Sequence, residues 1–180
     1  MTLLILDCTP KKDKAQEGLI LFEFLTLEGF DRDEITLKEF ETKQEFLKFL
    51  SNENKISGYD CVHISGHGSV EDHQGEFNLP KGSVRPEEFP EDCFCTQQIS
   101  LSACELGRRD FMKPFIERTQ PDFVIAPQNE VPFRDGALFW VNYYDSVIYR
   151  EIDPRRAFDA TKKYLHRKIT GGFQLWENED

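Results

Sequence analysis

The sequence is short of basic residues relative to acidic ones, and this shortage excludes a class of partner. Lys and Arg number 22 against 33 Asp and Glu, which gives a formal net charge of −11 at pH 7. Such a surface repels phosphate backbones, so we expect no nucleic-acid partner. A basic peptide or a basic protein surface is the more probable binding partner.

The length of the chain limits the number of domains. The 180 residues suffice for one sizeable hydrophobic core and are too few for two domains of ordinary size, so residues 1–180 are predicted to form a single domain.

The sequence also lacks a regular cysteine framework and long apolar runs. Its five cysteines are an odd number without disulfide spacing, which is typical of a reducing compartment. The N-terminal segment has no basic leader, and its apolar run is too short for a signal peptide or a membrane-spanning helix. We therefore expect a cytoplasmic protein without membrane association, whose first apolar run, Leu3–Asp7, is a buried strand.

Strand-like apolar segments alternate with helix-like segments along the chain. The expected strands are residues 3–7, 34–40, 60–66, 98–103, 122–127 and 173–176. Continuous apolar runs are typical of strands covered on both faces, whereas 34–40 alternates and is expected nearer an edge. This order predicts an α/β fold, with a mostly parallel sheet of about six strands and helices on both faces.

Capping residues mark the expected helices. A helix over 12–28 should bury Ala15, Leu19, Phe22 and Leu25 and stop at Gly29. Thr42 and Glu45 have capping-box spacing for a helix through Leu50. The other expected caps are Asp110, with Pro114 in the first turn, Asp135 for a helix to Tyr149, and Asp153–Pro154 for a helix to Lys168.

The long connection between the third and fourth strands is expected to contain structure. A structureless segment of this length is improbable in a compact domain. Residues 75–84, GEFNLPKGSV, are typical of a short hairpin with PKG as its turn.

A histidine and a cysteine follow two of the predicted strands. The segment CVHISGHGS ends the third strand with His67 between two glycines, and QISLSACELG ends the fourth with Cys104. Ligands of such sheets sit beyond the carboxyl ends of the strands, so both residues are expected at the functional edge. An imidazole beside a thiol can take its proton and later protonate a leaving amine.

Two further features would assist this chemistry, which needs no metal or organic cofactor. The backbone N–H groups of Gly68 and Cys104 are candidate donors to an oxyanion, and a glycine leaves room for the substrate carbonyl. A helix beginning directly after Cys104, between residues 105 and 110, would favour the thiolate.

The two segments HISGHGS and ISLSACELG resemble those of the caspase-like cysteine peptidases of clan CD, and above all those of the CHAT group. The resemblance covers residues 3–176 and implies a caspase-like three-layer α/β fold, with His67 as base and Cys104 as nucleophile. It implies a cysteine endopeptidase that cleaves protein substrates, a regulated bacterial effector with an activating or regulatory partner. Ser102 stands where caspases have Gln in their signature, so a caspase-type pocket for Asp is not expected.

Each candidate residue also has a plainer interpretation. Cys104 could be a packed strand-end cysteine, and His63 is interpreted as a structural histidine inside the sheet. Cys8 and Cys61 are expected in the core, while Cys93 and Cys95 with His67 and His73 match no common zinc spacing. The substrate-binding candidates are Gln128, Asn129 and Glu130, after the fifth strand, and Asp135, which is expected rather as a helix cap.

Three other functions are alternatives to this one. A cysteine phosphatase needs Arg six residues after the nucleophile, where this chain has Asp110. A glutamine-amidotransferase-like hydrolase needs its histidine after the cysteine, where only His166 stands. The serious alternative is a non-catalytic or latent CHAT-like subunit that acts as a protein-binding module.

Overall fold

Strands and helices alternate from one end of the chain to the other. The computed structural model describes residues 1–13, 16–31, 33–71, 74–95, 97–166 and 169–178. Within these ranges lie nine strands: β1 Leu3–Asp7, β2 Ile35–Glu39, β3 Cys61–Ser65, β4 His67–Glu71, β5 Gln74–Leu79, β6 Gly82–Val84, β7 Gln98–Ser102, β8 Phe123–Pro127 and β9 Phe173–Glu177. The same ranges hold five α-helices: α1 Glu17–Leu27, α2 Lys43–Leu50, α3 Arg109–Thr119, α4 Phe133–Tyr144 and α5 Pro154–Leu165.

Six of the strands form the main sheet, in the order β2-β1-β3-β7-β8-β9. All neighbouring pairs are parallel except β8 and β9, which are antiparallel. The six strands expected from the sequence are therefore the six strands of this sheet, and β2 lies at an edge as its alternating pattern indicated. The predicted α/β class with a mostly parallel sheet is confirmed.

Helices and the remaining strands cover both faces of the main sheet, so the molecule has three layers. Alternate residues of β1 enter opposite cores, with Leu4 and Leu6 in one and Leu3 and Ile5 in the other. Side chains of α2, α3 and strands β5 and β6 complete the first core, and those of α1, α4 and α5 complete the second. Within the described ranges, no helix combines the length and apolarity that crossing a membrane requires.

The connection between β3 and β7 contains a second sheet, which is larger than the hairpin expected there. Strands β4, β5 and β6 pair antiparallel, with the turn at Pro80 and Lys81 as predicted. Strand β4 starts at His67, and its sequence HGSVE has too few apolar residues to signal a strand. At the turn, Lys81 N–H donates to Glu41 O at 2.9 Å and Lys43 N–H donates to Lys81 O at 3.2 Å, which fastens the hairpin to the start of α2.

Helix α1 differs from its expectation in both its start and its buried face. It begins at Glu17 rather than at residue 12, and Leu19 is 38% exposed while Leu21 and Leu25 are buried. The expected contact of Ala15 lies outside the described residues. Most positions of EGLILFEFLTL are apolar, so the sequence carries no stripe that would distinguish the buried face.

Two of the expected helix caps are wrong. The N-cap of α3 is Arg108, with Asp110 in the first turn and Pro114 in the second, and the N-cap of α4 is Pro132, with Asp135 as the third helical residue. An acidic side chain in the first turn interacts favourably with the helix dipole, as a capping carboxylate does, so the sequence alone does not distinguish the two positions. Helix α4 also ends at Tyr144 and passes into a π-helical turn over Asp145–Tyr149 instead of continuing as an α-helix.

The other caps are confirmed. Thr42 is the N-cap of α2, because its Oγ1 accepts from Glu45 N–H at 3.2 Å. The Thr42 hydroxyl also donates to Glu45 Oε2 at 2.8 Å, a side-chain bond that takes the place of the backbone bond of a capping box. Asp153 Oδ1 accepts from Arg156 N–H at 3.1 Å, and Pro154 is the first residue of α5. The expected end of this helix at Lys168 lies outside the described residues.

The small sheet is held to the rest of the fold by Phe77, which provides a stability prediction. Phe77 on β5 is fully buried, and its ring centroid lies 5.7 Å from that of Phe46 on α2. We expect Phe77→Ala to lower the free energy of unfolding by about 3–5 kcal/mol, because it removes buried area and leaves a cavity. Denaturant unfolding followed by circular dichroism measures the change. Leu27→Ala is the control, since Leu27 is 83% exposed and its loss should change stability by less than about 0.5 kcal/mol; equal effects of the two substitutions would contradict the anchoring role.

Candidate functional site

Strands β3 and β7 are parallel neighbours whose carboxyl ends lie level with each other. Ser65 pairs with Ser102 at the last rung of this ladder. His67 lies two residues beyond Ser65, and Cys104 lies two residues beyond Ser102. Both therefore leave the same edge of the main sheet from adjacent strands, as the order of segments in the sequence indicated.

Close backbone packing explains the glycines around His67 and Cys104. A Cβ atom on Gly68 would lie 1.9 Å from the Cys104 carbonyl oxygen, so the two chain segments are in direct backbone contact. A Cβ atom on Gly66 would lie 2.6 Å from the ring of Phe77, and one on Gly107 would lie 2.6 Å from the Ala126 carbonyl oxygen. The space beside Gly68 expected for a substrate carbonyl is thus occupied by the main chain of Cys104 itself.

The chain turns sharply after Cys104. Glu105 has a left-handed backbone conformation, with φ of 64°, and its N–H donates to Asn129 O at 3.3 Å. Arg108 closes the turn, because its Nη2 donates to Glu105 Oε1 at 2.6 Å and its Nε donates to Gln128 O at 3.1 Å. Helix α3 begins only at Arg109, so the helix start expected directly beside the thiol lies further along the chain.

The Cys104 thiol is partly exposed and is held by the segment that follows β8. Val131 N–H donates to Cys104 Sγ at 3.3 Å, and the thiol lies 3.7 Å from Val131 O. This environment differs from the packed strand-end cysteine of the plainer interpretation, since the sulfur lies at the wall of a cavity and not in the core.

His67 has a carboxylate partner that the sequence did not indicate. His67 Nε2 lies 2.8 Å from Asp13 Oδ2, in the loop between β1 and α1. The His67 side chain is 58% exposed and that of Asp13 is 33% exposed. A carboxylate at this position fixes the orientation of the ring and leaves Nδ1 as the nitrogen that can accept a proton.

His67 and Cys104 line one cavity. Its volume is about 440 Å³, within the range of small-molecule and side-chain binding pockets. The charged residues at its wall are Lys12, Asp13 and Glu17, and the apolar part of the wall is formed by Val131, Pro132 and Phe133 with Phe173. The cavity thus brings together a thiol, an imidazole and the Asp13 carboxylate beside an apolar surface.

The three substrate-binding candidates after β8 have different positions. Glu130 lines a smaller cavity of about 320 Å³ together with Gly68 and Cys104. Gln128 and Asn129 are engaged through their backbones, since their N–H groups donate to Gly172 O at 3.3 Å and to Gly171 O at 3.0 Å. Neither is among the described residues that line the two cavities beside Cys104.

Asp135, the fourth candidate, supports the structure around the site. Its residue is 3% exposed, and Oδ2 accepts from Thr170 N–H at 2.8 Å and from Thr170 Oγ1 at 3.2 Å. The hydrogen bond from Thr170 N–H holds the pKa of the Asp135 carboxyl below its usual value. Asp135 thus fastens the segment before β9 to the first turn of α4, and it is absent from the described lining of the cavity.

His63 is a structural histidine, as interpreted from the sequence. It is fully buried, with Nδ1 3.1 Å from Tyr144 Oη and Nε2 3.0 Å from Ser65 Oγ and 3.3 Å from Glu17 Oε1. Its ring packs edge-on against Trp140 at 5.1 Å between centroids. These contacts occupy both ring nitrogens inside the sheet.

The cysteines divide into buried and accessible groups. Cys8 and Cys61 are in the core as expected, and Cys93 is also buried, whereas Cys95 is exposed. Burial raises the pKa of Cys61 and of Cys93 to about 12, and it raises that of Cys8 as well. In the part of the chain that the structure describes, no three His, Cys, Asp or Glu side chains are grouped to hold a metal ion; His73 lies outside that part.

The fold is a caspase-like three-layer α/β sandwich, which solved cysteine proteinase structures share. The chain is similar to the crystal structure of the Arg-specific cysteine proteinase gingipain R (RgpB), with a TM-score of 0.59 and 13% sequence identity over 98% of this chain and 46% of that one. It is similar also to a complex of the Porphyromonas gingivalis RgpB pro- and mature domains, with a TM-score of 0.57, 13% identity and coverage of 98% and 47%. The chain thus spans less than half the length of these structures. No family model matches the sequence, and no curated protein matches it.

The contact at Gly68 leads to a prediction about the shape of the site. We expect Gly68→Ala to separate the start of β4 from Cys104, because the added methyl group cannot share space with the Cys104 carbonyl oxygen. The rate of Cys104 alkylation by iodoacetamide should change and the melting temperature should fall. Gly58→Ala is the control, since nothing lies within 4 Å of a Cβ atom there and its melting temperature should stay close to that of the parent. Normal melting and alkylation of Gly68→Ala would contradict the packing described.

A second prediction concerns all five cysteines. At pH 8 the folded protein should be alkylated at Cys95 and Cys104, and Cys8, Cys61 and Cys93 should react only after unfolding, because burial keeps these three thiols protonated and inaccessible. Mass spectrometry of tryptic peptides, with and without denaturant, measures the pattern. Rapid alkylation of Cys61 in the folded protein would contradict it.

Proposed function

We propose that this chain is a cysteine endopeptidase in which Cys104 is the nucleophile and His67 is the general base. The observation that carries the proposal is that the two residues line one cavity at the ends of adjacent parallel strands, and that His67 Nε2 lies 2.8 Å from Asp13 Oδ2. The fold, which is that of cysteine peptidases, supports the same reaction class.

The proposed reaction has two stages. His67 Nδ1 takes the proton of the Cys104 thiol, and the thiolate attacks the carbonyl carbon of the scissile peptide bond. The protonated imidazole then gives the proton to the leaving amine, which leaves an acyl group on Cys104. A water molecule, deprotonated by the same imidazole, hydrolyses this thioester and restores the thiol.

Backbone N–H groups are proposed to stabilise the oxyanion that forms at each stage. The candidates are the amides of Gly68 and Cys104, and because the Cys104 carbonyl oxygen fills the Cβ side of Gly68, the oxyanion would approach these amides from another side. The nearby amides of Glu105 and Gly107 are engaged with Asn129 O and Pro127 O, which leaves them unavailable for this role. Preorganised donors of this kind are worth a factor of about 10²–10³ each.

The resemblance of the His-Gly and Ser-Ala-Cys segments supports placing the chain in the CHAT group, as a regulated bacterial effector with protein substrates in the cytoplasm. One of the similar structures is a complex of pro- and mature domains, which supports control by a protein partner. The charge of −11 supports the absence of a nucleic-acid partner. We propose no metal or organic cofactor, because the chemistry above needs none.

Covalent labelling tests the nucleophile. We expect a peptidyl acyloxymethyl ketone to modify the native protein at Cys104, and Cys104→Ala to abolish both labelling and peptide cleavage. Cys95→Ala is the matched control, because Cys95 is exposed but lies outside the described lining of the cavity, so both activities should persist. A different outcome would be that the protein, together with any partner it needs, is not labelled at Cys104 and cleaves no member of a peptide library. That outcome would contradict the peptidase proposal and favour a non-catalytic subunit that binds proteins.

The Asp13–His67 hydrogen bond leads to a graded prediction. His67→Asn should lower kcat/KM by about 10²–10⁴-fold, because it removes the acid–base group. Asp13→Asn keeps the shape of the side chain but removes the charge that orients the ring, and a smaller loss of kcat/KM is expected because solvent screens this partly exposed pair. Lys11→Gln, a change of charge in the same loop, is the control, since Lys11 forms an exposed ion pair with Glu41 and should leave kcat/KM unchanged. A loss as large for Lys11→Gln as for Asp13→Asn would contradict the role of Asp13.

A further inference from the structure

A buried carboxylate at the end of β1 has no part in the proposed reaction. Asp7 is the last residue of β1, and it is only 4% exposed. It is absent from the described lining of the cavity that holds Cys104 and His67. Burying a carboxylate is costly unless hydrogen bonds satisfy its oxygens, so the donors that bind Asp7 show which parts of the chain this side chain holds in place.

One oxygen of Asp7 fixes the start of the loop that carries Asp13. Asp7 Oδ1 accepts from Thr9 N–H at 2.8 Å and from the Thr9 hydroxyl at 2.6 Å. The chain turns directly after Thr9, and Asp13 N–H donates to Pro10 O at 2.8 Å. Asp13 Oδ2 then lies 2.8 Å from His67 Nε2. A short series of hydrogen bonds therefore leads from the buried carboxylate to the imidazole.

The other oxygen of Asp7 fixes the far end of the same loop. Helix α1 begins at Glu17, and its N-cap residue, Gln16, makes no side-chain cap hydrogen bond. Asp7 Oδ2 accepts from the N–H of Leu19, the third helical residue, at 3.3 Å. An N-cap side chain usually binds this N–H group, so a carboxylate from β1 takes the place of the local cap and interacts favourably with the helix dipole. One side chain thus holds both ends of the loop between β1 and α1.

Gly18 allows Asp7 to come this close to the helix. A Cβ atom on Gly18 would lie 2.8 Å from both Cβ and Oδ2 of Asp7, which is closer than side chains pack. The carboxylate could not keep its position if residue 18 had a side chain. The glycine near the start of α1 is therefore explained by tight packing against Asp7.

We propose that Asp7 is a positioning residue, which holds the Asp13 carboxylate against His67 by fixing both ends of the loop that carries Asp13. This inference rests on the proposed peptidase function and deepens it, because Asp13 orients the imidazole that takes the thiol proton. Asp7 does not line the described part of the cavity, so its effect on the reaction passes through the loop.

A double-mutant cycle with Asp7→Asn and Asp13→Asn tests the proposal. Both oxygens of Asp7 accept hydrogen bonds, and an amide cannot replace both, because its nitrogen only donates. We expect Asp7→Asn to lower kcat/KM. The double variant should lose no more than Asp13→Asn alone, within about twofold, because the two substitutions disrupt the same contact with His67.

Asp153→Asn is the matched control for Asp7→Asn. Asp153 also accepts from an N–H group in the first turn of a helix, but it does so through one oxygen, which an amide retains. This variant should leave kcat/KM unchanged.

The ring signal of His67 in a ¹H–¹³C correlation spectrum is a readout that a general loss of stability does not move. The spectra are recorded without substrate, at one pH at which circular dichroism shows every variant to be folded. Asp13→Asn gives the reference position of a ring that has lost its carboxylate partner, and His67→Asn assigns the signal. Asp7→Asn should move the signal toward this reference, and Asp153→Asn should leave it at the position in the native protein.

A second variant displaces the Asp7 carboxylate without removing it. Gly18→Ala places a methyl group against Asp7 Oδ2, so it should move the His67 signal in the same direction as Asp7→Asn. Alanine is the better helix former, so weakening of α1 would not account for this shift.

The outcomes separate the positioning role from the peptidase proposal. If Asp7→Asn loses stability and keeps the native His67 signal, Asp7 is only a structural residue and the positioning role is overturned. A double variant whose loss of kcat/KM equals the product of the two single losses would overturn it as well, because the two residues would then act independently. A native protein that cleaves no peptide would overturn the peptidase proposal, and the ring signals would still decide whether Asp7 holds Asp13 at His67.

Discussion

The backbone contact between Gly68 and Cys104 sets the geometry of the whole site. The parallel ladder of β3 and β7 brings the two strand ends level, and the missing side chain at Gly68 then lets the main chains touch. Cys104, whose thiol accepts from Val131 N–H, belongs to one of the two touching segments, and His67, which contacts Asp13, directly precedes Gly68 in the other. A larger residue at position 68 would push the two chain segments apart. Gly68 has no side chain, yet it thereby controls the distance between the segments that carry His67 and Cys104.

Much of the main sheet could be predicted because its strands carry local signals. Continuous apolar runs such as Leu3–Asp7 are buried on both faces, and a parallel sheet between helices is the arrangement that buries both. The order of the segments alone predicts that His67 and Cys104 lie at one edge of the sheet. The helix N-caps Thr42 and Asp153 could also be predicted, because a helix cap is an interaction between residues three positions apart.

The parts that could not be predicted depend on contacts between distant segments. Asp13 follows β1, the neighbour of β3, so the topology could have drawn attention to it, but its contact with His67 depends on the path of the loop. Glu17 lies in a helix whose sequence is apolar on most positions, which hides the face that turns toward the cavity. Asp135 has the spacing of a helix cap and instead binds Thr170, a residue 35 positions away. In each of these cases a local pattern was compatible with several environments, and tertiary packing selected one of them.

The hairpin turn at Lys81, fastened to the start of α2, has a consequence for the imidazole at the same end of the small sheet. His67 on β4 pairs with Asn78 on β5, three residues before Lys81, so the bonds of the turn to Glu41 and Lys43 and the packing of Gly68 on Cys104 hold the same end of this sheet. A sheet end that is bonded on both of these sides has little freedom to move. The entropy of bringing the ring to the edge of the sheet is therefore lost when the chain folds, and an arriving ligand meets a preorganised group that it does not have to order.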